Sequence, residues 1–271
     1  MGAPLEVPMP AASAPVSRLF PRLAWTSLIY TIAVVLFGAW VRITGSGAGC
    51  GQHWPTCHGA IVPRSPTMET VIEFTHRMSS GIYGFVILGL LIVAFRRFPR
   101  GHWARRGAVL ALLFTISEAL VGARLVLLGL VADNDSIDRA VWMAIHLVNT
   151  SLLTAGVALT CWAGDRVKTR LHHHGRLTWL LVAALVGLLL VGTTGAVTAL
   201  GDTLFPVDVT GGIAERLGSD HSPTAHFLQR LRVMHPLLSV GVGLFILVAA
   251  QGVADRRRRP GVLRWARTVG A

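Results

Sequence analysis

Along the 271 residues, apolar positions gather into six long runs separated by short polar stretches. The runs cover roughly 22–42, 71–95, 107–131, 139–163, 177–200 and 225–250. Each is close to the ~20 apolar residues needed to cross a bilayer core. Backbone polar groups in lipid must be satisfied internally, and runs of this length do so as helices. The pattern therefore predicts an all-α integral membrane protein with six transmembrane helices. Composition agrees: 52% of residues are hydrophobic and 14% charged, too apolar a balance for a soluble domain of this size.

Basic residues orient these helices. The tail to Arg22, the 96–106 loop, the 165–176 loop and the stretch after Ala254 carry 2, 5, 4 and 6 Lys/Arg. The alternate loops, 43–70, 132–140 and 201–224, carry only Arg64, Arg139 and Arg216. The positive-inside rule then predicts both termini in the cytoplasm. The net charge of +12 is mostly this bias together with contact with anionic lipid. The Arg256–Arg259 run reads as a juxtamembrane anchor, so no nucleic-acid partner is expected. Residues 1–21 lack the charged start and apolar core of a signal peptide and read as a cytoplasmic tail.

The chemistry lies in ionisable residues inside the apolar runs, which are costly there and indicate function. Glu73-Phe74-Thr75-His76-Arg77 heads the second run, and His146 and His235 sit near the starts of the fourth and sixth. Histidines at matching places in different helices suggest a metal or haem held between them. Glu73 precedes His76 by three residues, which puts both on nearly one helical face. Five arginines, Arg42, Arg77, Arg124, Arg230 and Arg232, fall near the outer helix ends against the orientation rule. Snorkelling explains one such residue; five near histidines look like partners for an anionic ligand such as haem propionates. Glu118 reads either as a second relay group or as a paired carboxylate. His172–His174 reads as a solvated loop, and His221 and His226 as residues flanking the sixth helix.

Of three cysteines, Cys161 reads as a small buried hydrophobe, whereas Cys50 and Cys57 share the first outer loop. That compartment permits disulfides, and the intervening Gly and Pro let the chain double back. The rival is zinc, completed by His53 and His58, but the spacing is not the C-x2-C of common structural sites. A disulfide is expected, as a loop staple or as a group that exchanges with an external thiol.

The chain also repeats itself weakly. Gly38-Ala39-Trp40-Val41 resembles Gly195-Ala196-Val197-Thr198, and His76-Arg77-Met78-Ser79-Ser80-Gly81 aligns with the segment from His235 to Gly241 with one inserted position. A parallel duplication of a four-helix unit fits. The first unit spans 22–163 and the second begins at 177–250, with 251–271 reading as a basic cytoplasmic tail and the first residues of a seventh helix. A four-helix bundle and a truncated second copy are expected. His76 and His146 would face each other in the first, and Arg232 stands where the first unit has Glu73.

Three stretches carry a resemblance to a known family: Thr44-Gly45-Ser46-Gly47, the Cys50…Trp54-Pro55…Cys57 loop, and Ile72-Glu73-Phe74-Thr75-His76-Arg77. The chain resembles the haem A synthases of cytochrome oxidase assembly, bacterial plasma-membrane oxidoreductases with two four-helix halves. The resemblance implies conversion of haem O to haem A by successive hydroxylation of a ring methyl. It implies that haem O is received near His76, His146 and Glu73, and that haem b is held by His235 and a histidine of an absent eighth helix. It makes Glu73 the catalytic carboxylate, with burial suiting it to move protons. Haem O synthase and an unidentified electron donor become expected partners, and a homo-oligomer stays open. The rival readings are a b-type cytochrome that only carries electrons and a haem-handling assembly factor.

Overall fold

A computed structural model of the protein describes residues 19–164, 175–206 and 225–256, with the single positions 212, 218, 220 and 222. Among these residues lie six long helices: α1 (Leu19–Ile43), α2 (Met68–Arg97), α3 (Trp103–Leu127), α4 (Ile137–Gly164), α5 (Arg176–Leu204) and α6 (Phe227–Arg256). A short 3-10 turn, Ser46–Ala48, follows α1. The 1–18 tail, the His172–His174 loop, Arg216, His221 and the stretch 257–271 lie outside the described residues.

All six helices are long and apolar enough to cross a membrane, and their packing is that of a membrane bundle. Large apolar side chains face outward: Phe85 is 77% exposed and Val248 72%. Apolar surface on this scale would be unstable in water and is at home in lipid. The chain is a multi-pass membrane protein.

Helix α1 packs on α2 and α4, and α3 packs on the same two, which closes a four-helix bundle; α5 pairs with α6 and leans on α4. The bundle core contains Phe20, Tyr83, Ile87, Leu90, Leu153 and Val157. The second pair meets α4 through Ala140, Val197, Leu200 and Leu228.

With no hydrophobic drive between helices in lipid, close association depends on small residues. A Cβ on Gly107 would stand 2.5 Å from Thr160 Oγ1 and 2.9 Å from Gly156 O, and one on Gly156 would stand 2.9 Å from Ala111 N. The α3–α4 seam is therefore packed backbone to backbone, which fixes the register between the two helices.

Helix ends follow local chemistry. Thr67 caps α2 by accepting from Thr70 N at 3.3 Å. The third run was expected to reach residue 131, but α3 stops at Leu127. Gly129 takes φ 64°, Gly129 N–H donates to Val126 O and Leu130 N–H to Leu125 O. This cap satisfies the last carbonyls, and Leu125 and Leu130 are both buried. The hydrophobic pattern runs on through Leu130 because the cap itself is apolar.

Candidate functional site

The site is built at the end of the bundle where the 44–67 loop lies over α2. The expected disulfide is present: Cys50 and Cys57 are bonded, with Cα atoms 4.5 Å apart. Both thiols are thus withdrawn from the zinc alternative. His58 Nε2 lies 2.8 Å from Gly49 O, and Thr70 Oγ1 donates to the same carbonyl at 2.6 Å. The loop backbone touches α2 so closely that a Cβ on Gly49 would stand 2.4 Å from Glu69 O.

Glu73 is the clamp of this contact. It is buried, and its Oε2 accepts from Cys50 N–H at 2.7 Å. Its Oε1 accepts from Arg77 Nε at 3.1 Å and pairs with Arg77 Nη2. Arg77 Nη1 donates to His53 O at 2.6 Å and Thr56 O at 2.7 Å. Carboxylate and guanidinium together tie both limbs of the disulfide loop to one helix. Arg77, expected to meet an anionic ligand, spends these donors on the loop.

The second pair of helices repeats the arrangement with reversed charge. Arg232 stands three residues before His235, as Glu73 stands before His76. Its Nε lies 2.6 Å from Asp202 Oδ1 and its Nη1 3.3 Å from Asp220 Oδ1. Nη2 donates to Gly201 O at 2.9 Å and also to Phe205 O. The position thus joins α6 to the end of α5 and to Asp220.

The repeat is also visible at the histidines. A Cβ on Gly38 would stand 3.3 Å from His76 Cε1 and Nε2, and one on Gly195 would stand 2.9 Å from His235 Cε1. The two glycines that the sequence aligns each make room for the imidazole of their own unit. His76 Nδ1 is buried with no hydrogen-bond partner, and Phe37 meets the ring edge-on at 5.4 Å. His235 Nδ1 lies 3.0 Å from Thr194 Oγ1. That hydroxyl already donates to Leu190 O at 2.8 Å, so it accepts from the ring and leaves His235 Nε2 as the bare nitrogen.

His146 lies on α4 of the same four-helix bundle that carries His76 on α2. Its Cε1 is 4.0 Å from the place of a Cβ on Gly122. Glu118 of α3 faces it, with Oε1 3.4 Å from His146 Nδ1. Glu118, expected as a second relay group or as a carboxylate paired to Arg124 or a backbone donor, accepts from Asn149 Nδ2 at 2.5 Å and from Thr150 Oγ1. Arg124 instead lies over the Trp142 ring at 4.2 Å.

The remaining candidates are dispersed. Arg42 Nη1 donates to Ala196 O at 3.0 Å and so joins the two units beside Gly195. Arg230 Nη2 meets Ser222 O at 3.4 Å. His226 sits between the rings of Phe205 and Phe227, at 4.8 and 4.6 Å. Cys161 is buried in the bundle core. Asn134 shapes its own turn, accepting from Ser136 N at 3.0 Å.

Sequence reasoning passed over Thr194, Asn149 and Thr150, the polar partners around the histidines, and Arg139. Arg139 is buried, donates to Ala132 O and Asn134 O, and has an unpartnered Nε. Spacing held a signal for two of them: Asn149 and Thr150 follow His146 by about one turn, on the same face.

The donor set suits haem iron. Imidazole is a usual axial ligand, a glycine leaves room on one side of each ring, and the buried Nδ1 of His76 has no hydrogen-bond partner.

Comparisons with known proteins identify the family. The COX15-CtaA family, described as "Cytochrome oxidase assembly protein", matches residues 21–271. A Thermus thermophilus protein named Protoheme IX farnesyltransferase is 52% identical over 238 residues, 88% of this chain and 39% of the relative. A Heme A synthase of Shouchella clausii is 38% identical over 138 residues, 51% of this chain and 43% of the relative. A Heme A synthase of Bacillus mycoides is 38% identical over 112 residues, 41% of this chain and 36% of the relative. The chain thus spans less than half the length of each of these relatives. It belongs to the COX15-CtaA family of cytochrome oxidase assembly proteins.

Proposed function

We propose that this chain acts in haem A biosynthesis, in the conversion of haem O to haem A by successive hydroxylation of a ring methyl to a formyl group. The observation that carries the reading is the first bundle, which carries His76 on α2 and His146 on α4 with a glycine facing each ring, Gly38 and Gly122. Family membership and likeness to proteins named Heme A synthase support it. When bound, haem supplies the iron and macrocycle that carry the oxidation.

The chain's own residues hold, orient and cover. His76 and His146 hold haem O as substrate between α2 and α4. His235, its tautomer set by Thr194, serves haem b in the second unit. Arg42 and Arg124 lie near the same ends of the helices and serve the propionates, whereas Arg77 and Arg232 hold loops. Glu73 has both oxygens engaged by Arg77 and Cys50, which favours a holding role over free proton exchange. Its clamp keeps the disulfide loop over the His76 end and limits water there.

The likeness to a protein named Protoheme IX farnesyltransferase supports a partner that supplies haem O. The distribution of basic residues supports cytoplasmic termini, and likeness to bacterial relatives supports a bacterial plasma-membrane location.

The test is to express the chain in cells that make haem O but no haem A, and to extract their haems. Haem A supports the reading. Haem B alone, with a six-coordinate low-spin spectrum, would favour an electron-carrying b-type cytochrome.

A further inference from the structure

The three histidines differ in what meets Nδ1. His235 has a hydroxyl at 3.0 Å, His76 has no partner, and His146 has a carboxylate oxygen at 3.4 Å. The His146 contact is within ion-pair distance but is not aligned as a hydrogen bond, so a turn of the ring toward the carboxylate is needed to complete it.

Glu118 is held in place from α4 and not left to swing. Its Oε2 accepts from Asn149 Nδ2 at 2.5 Å, and its Oε1 accepts from Thr150 Oγ1. The single Thr150 proton is shared with His146 O at 2.9 Å. Asn149 is fixed in turn: its Nδ2 also donates to Phe114 O at 2.9 Å, and its Oδ1 accepts from Ser117 Oγ at 2.6 Å. Asn149 and Thr150 stand one turn beyond His146, so the carboxylate of α3 is set in register with that imidazole. The close α3–α4 seam maintains the register. A carboxylate inside a transmembrane span is costly, and each of these bonds is made with a neutral group. The imidazole is the ring donor toward which the assembly is directed.

We infer that Glu118 is a positioning residue for His146: it accepts the Nδ1 proton, leaves Nε2 bare, and makes His146 the firmer of two unequal haem ligands in the first bundle. His76, with no Nδ1 partner, is the weaker and exchangeable ligand. A carboxylate on the outer nitrogen fixes ring orientation and raises ligand basicity. Such asymmetry suits a site whose haem is a substrate, since one side anchors while the other releases. The inference rests on the haem reading above.

The test is titration of the full chain in detergent with haemin, in a His235→Ala background so that only the first bundle is read. Glu118→Gln keeps the size of the side chain and is expected to weaken haemin binding by about 10- to 100-fold. The midpoint potential of the bound haem should move positive, because the ligand donates less. In a His146→Ala background the same Glu118→Gln change should cost nothing further, and His76→Ala should cost less than His146→Ala. An equal loss with and without His146 would show a scaffolding role and overturn the inference. So would unchanged affinity and potential in Glu118→Gln where His146→Ala does weaken binding. If neither His76→Ala nor His146→Ala alters haemin binding, the haem reading fails and takes this inference with it. As a check free of haem, nitrogen chemical shifts of His146 should report the Nδ1–H tautomer in the parent and a mixture in Glu118→Gln.

Discussion

Replacing Glu73 with alanine removes the centre of the loop clamp. The change deletes the acceptor of Cys50 N–H at 2.7 Å and the anionic partner of Arg77. Side-chain exposures of 5% for Glu73 and 12% for Arg77 leave little water to compensate. Removing one member of a buried ion pair costs about 3–5 kcal/mol. Arg77 keeps two carbonyl acceptors, His53 O and Thr56 O, so the low end, about 3 kcal/mol, applies. This is a local loss, because the helices remain packed without the loop. At about 1.4 kcal/mol per tenfold, amide exchange at Cys50 should accelerate by about 100-fold. Glu73→Gln keeps an oxygen for Cys50 and loses only the charge, so an acceleration of about tenfold is expected. The assay is hydrogen exchange by mass spectrometry in detergent micelles, comparing peptides across residues 46–60 with α4 peptides around Leu153 and Val157. The α4 signal should not change. If Cys50 exchange in Glu73→Ala stays within about twofold of the parent, no clamp of the expected strength exists.

Three further outcomes follow from the same geometry. Gly195→Ala puts a methyl 2.9 Å from His235 Cε1, and Gly38→Ala puts one 3.3 Å from His76. Each should raise thermal stability or leave it unchanged, since alanine favours helix by about 1 kcal/mol over glycine, while haemin binding at that histidine falls, more for Gly195. Gly156→Val overpacks the α3–α4 seam and should cost about 1–3 kcal/mol of stability, read by unfolding in mixed micelles. Arg232→Ala removes the guanidinium that meets Asp202 and Asp220; Asp202 is 55% exposed, so about 1–2 kcal/mol is expected. Limited proteolysis between α5 and α6 should then become faster.

The legible part of this fold was the part set by hydrophobic length. Six apolar runs became six helices because lipid leaves the backbone no other local solution. The end of α3 was misread, since Leu130 belongs to a helix cap that is itself apolar; Gly129 was the available signal. Cys50 and Cys57 were paired correctly from compartment and spacing. The histidines stand out in the sequence because ionisable groups are rare in such runs, and the glycine alignment has a physical cause at Gly38 and Gly195. Partners across helices were not legible. Glu118 is 28 residues from His146 in sequence, and their mutual register is set by the glycine-lined seam together with the bonds of Asn149 and Thr150 to α3. Arg77 and Arg232 looked like ligand-facing cations because sequence does not show the carbonyls and carboxylates that already engage them.

The central claim, that His76 and His146 form one haem-holding pair, is tested most directly by the ferric spectrum of haemin bound to the full chain carrying His235→Ala. The account predicts a six-coordinate low-spin species that is lost in either His76→Ala or His146→Ala and retained in His102→Ala, whose ring caps α3 at Ala104 N. A low-spin spectrum that survives both losses would contradict it.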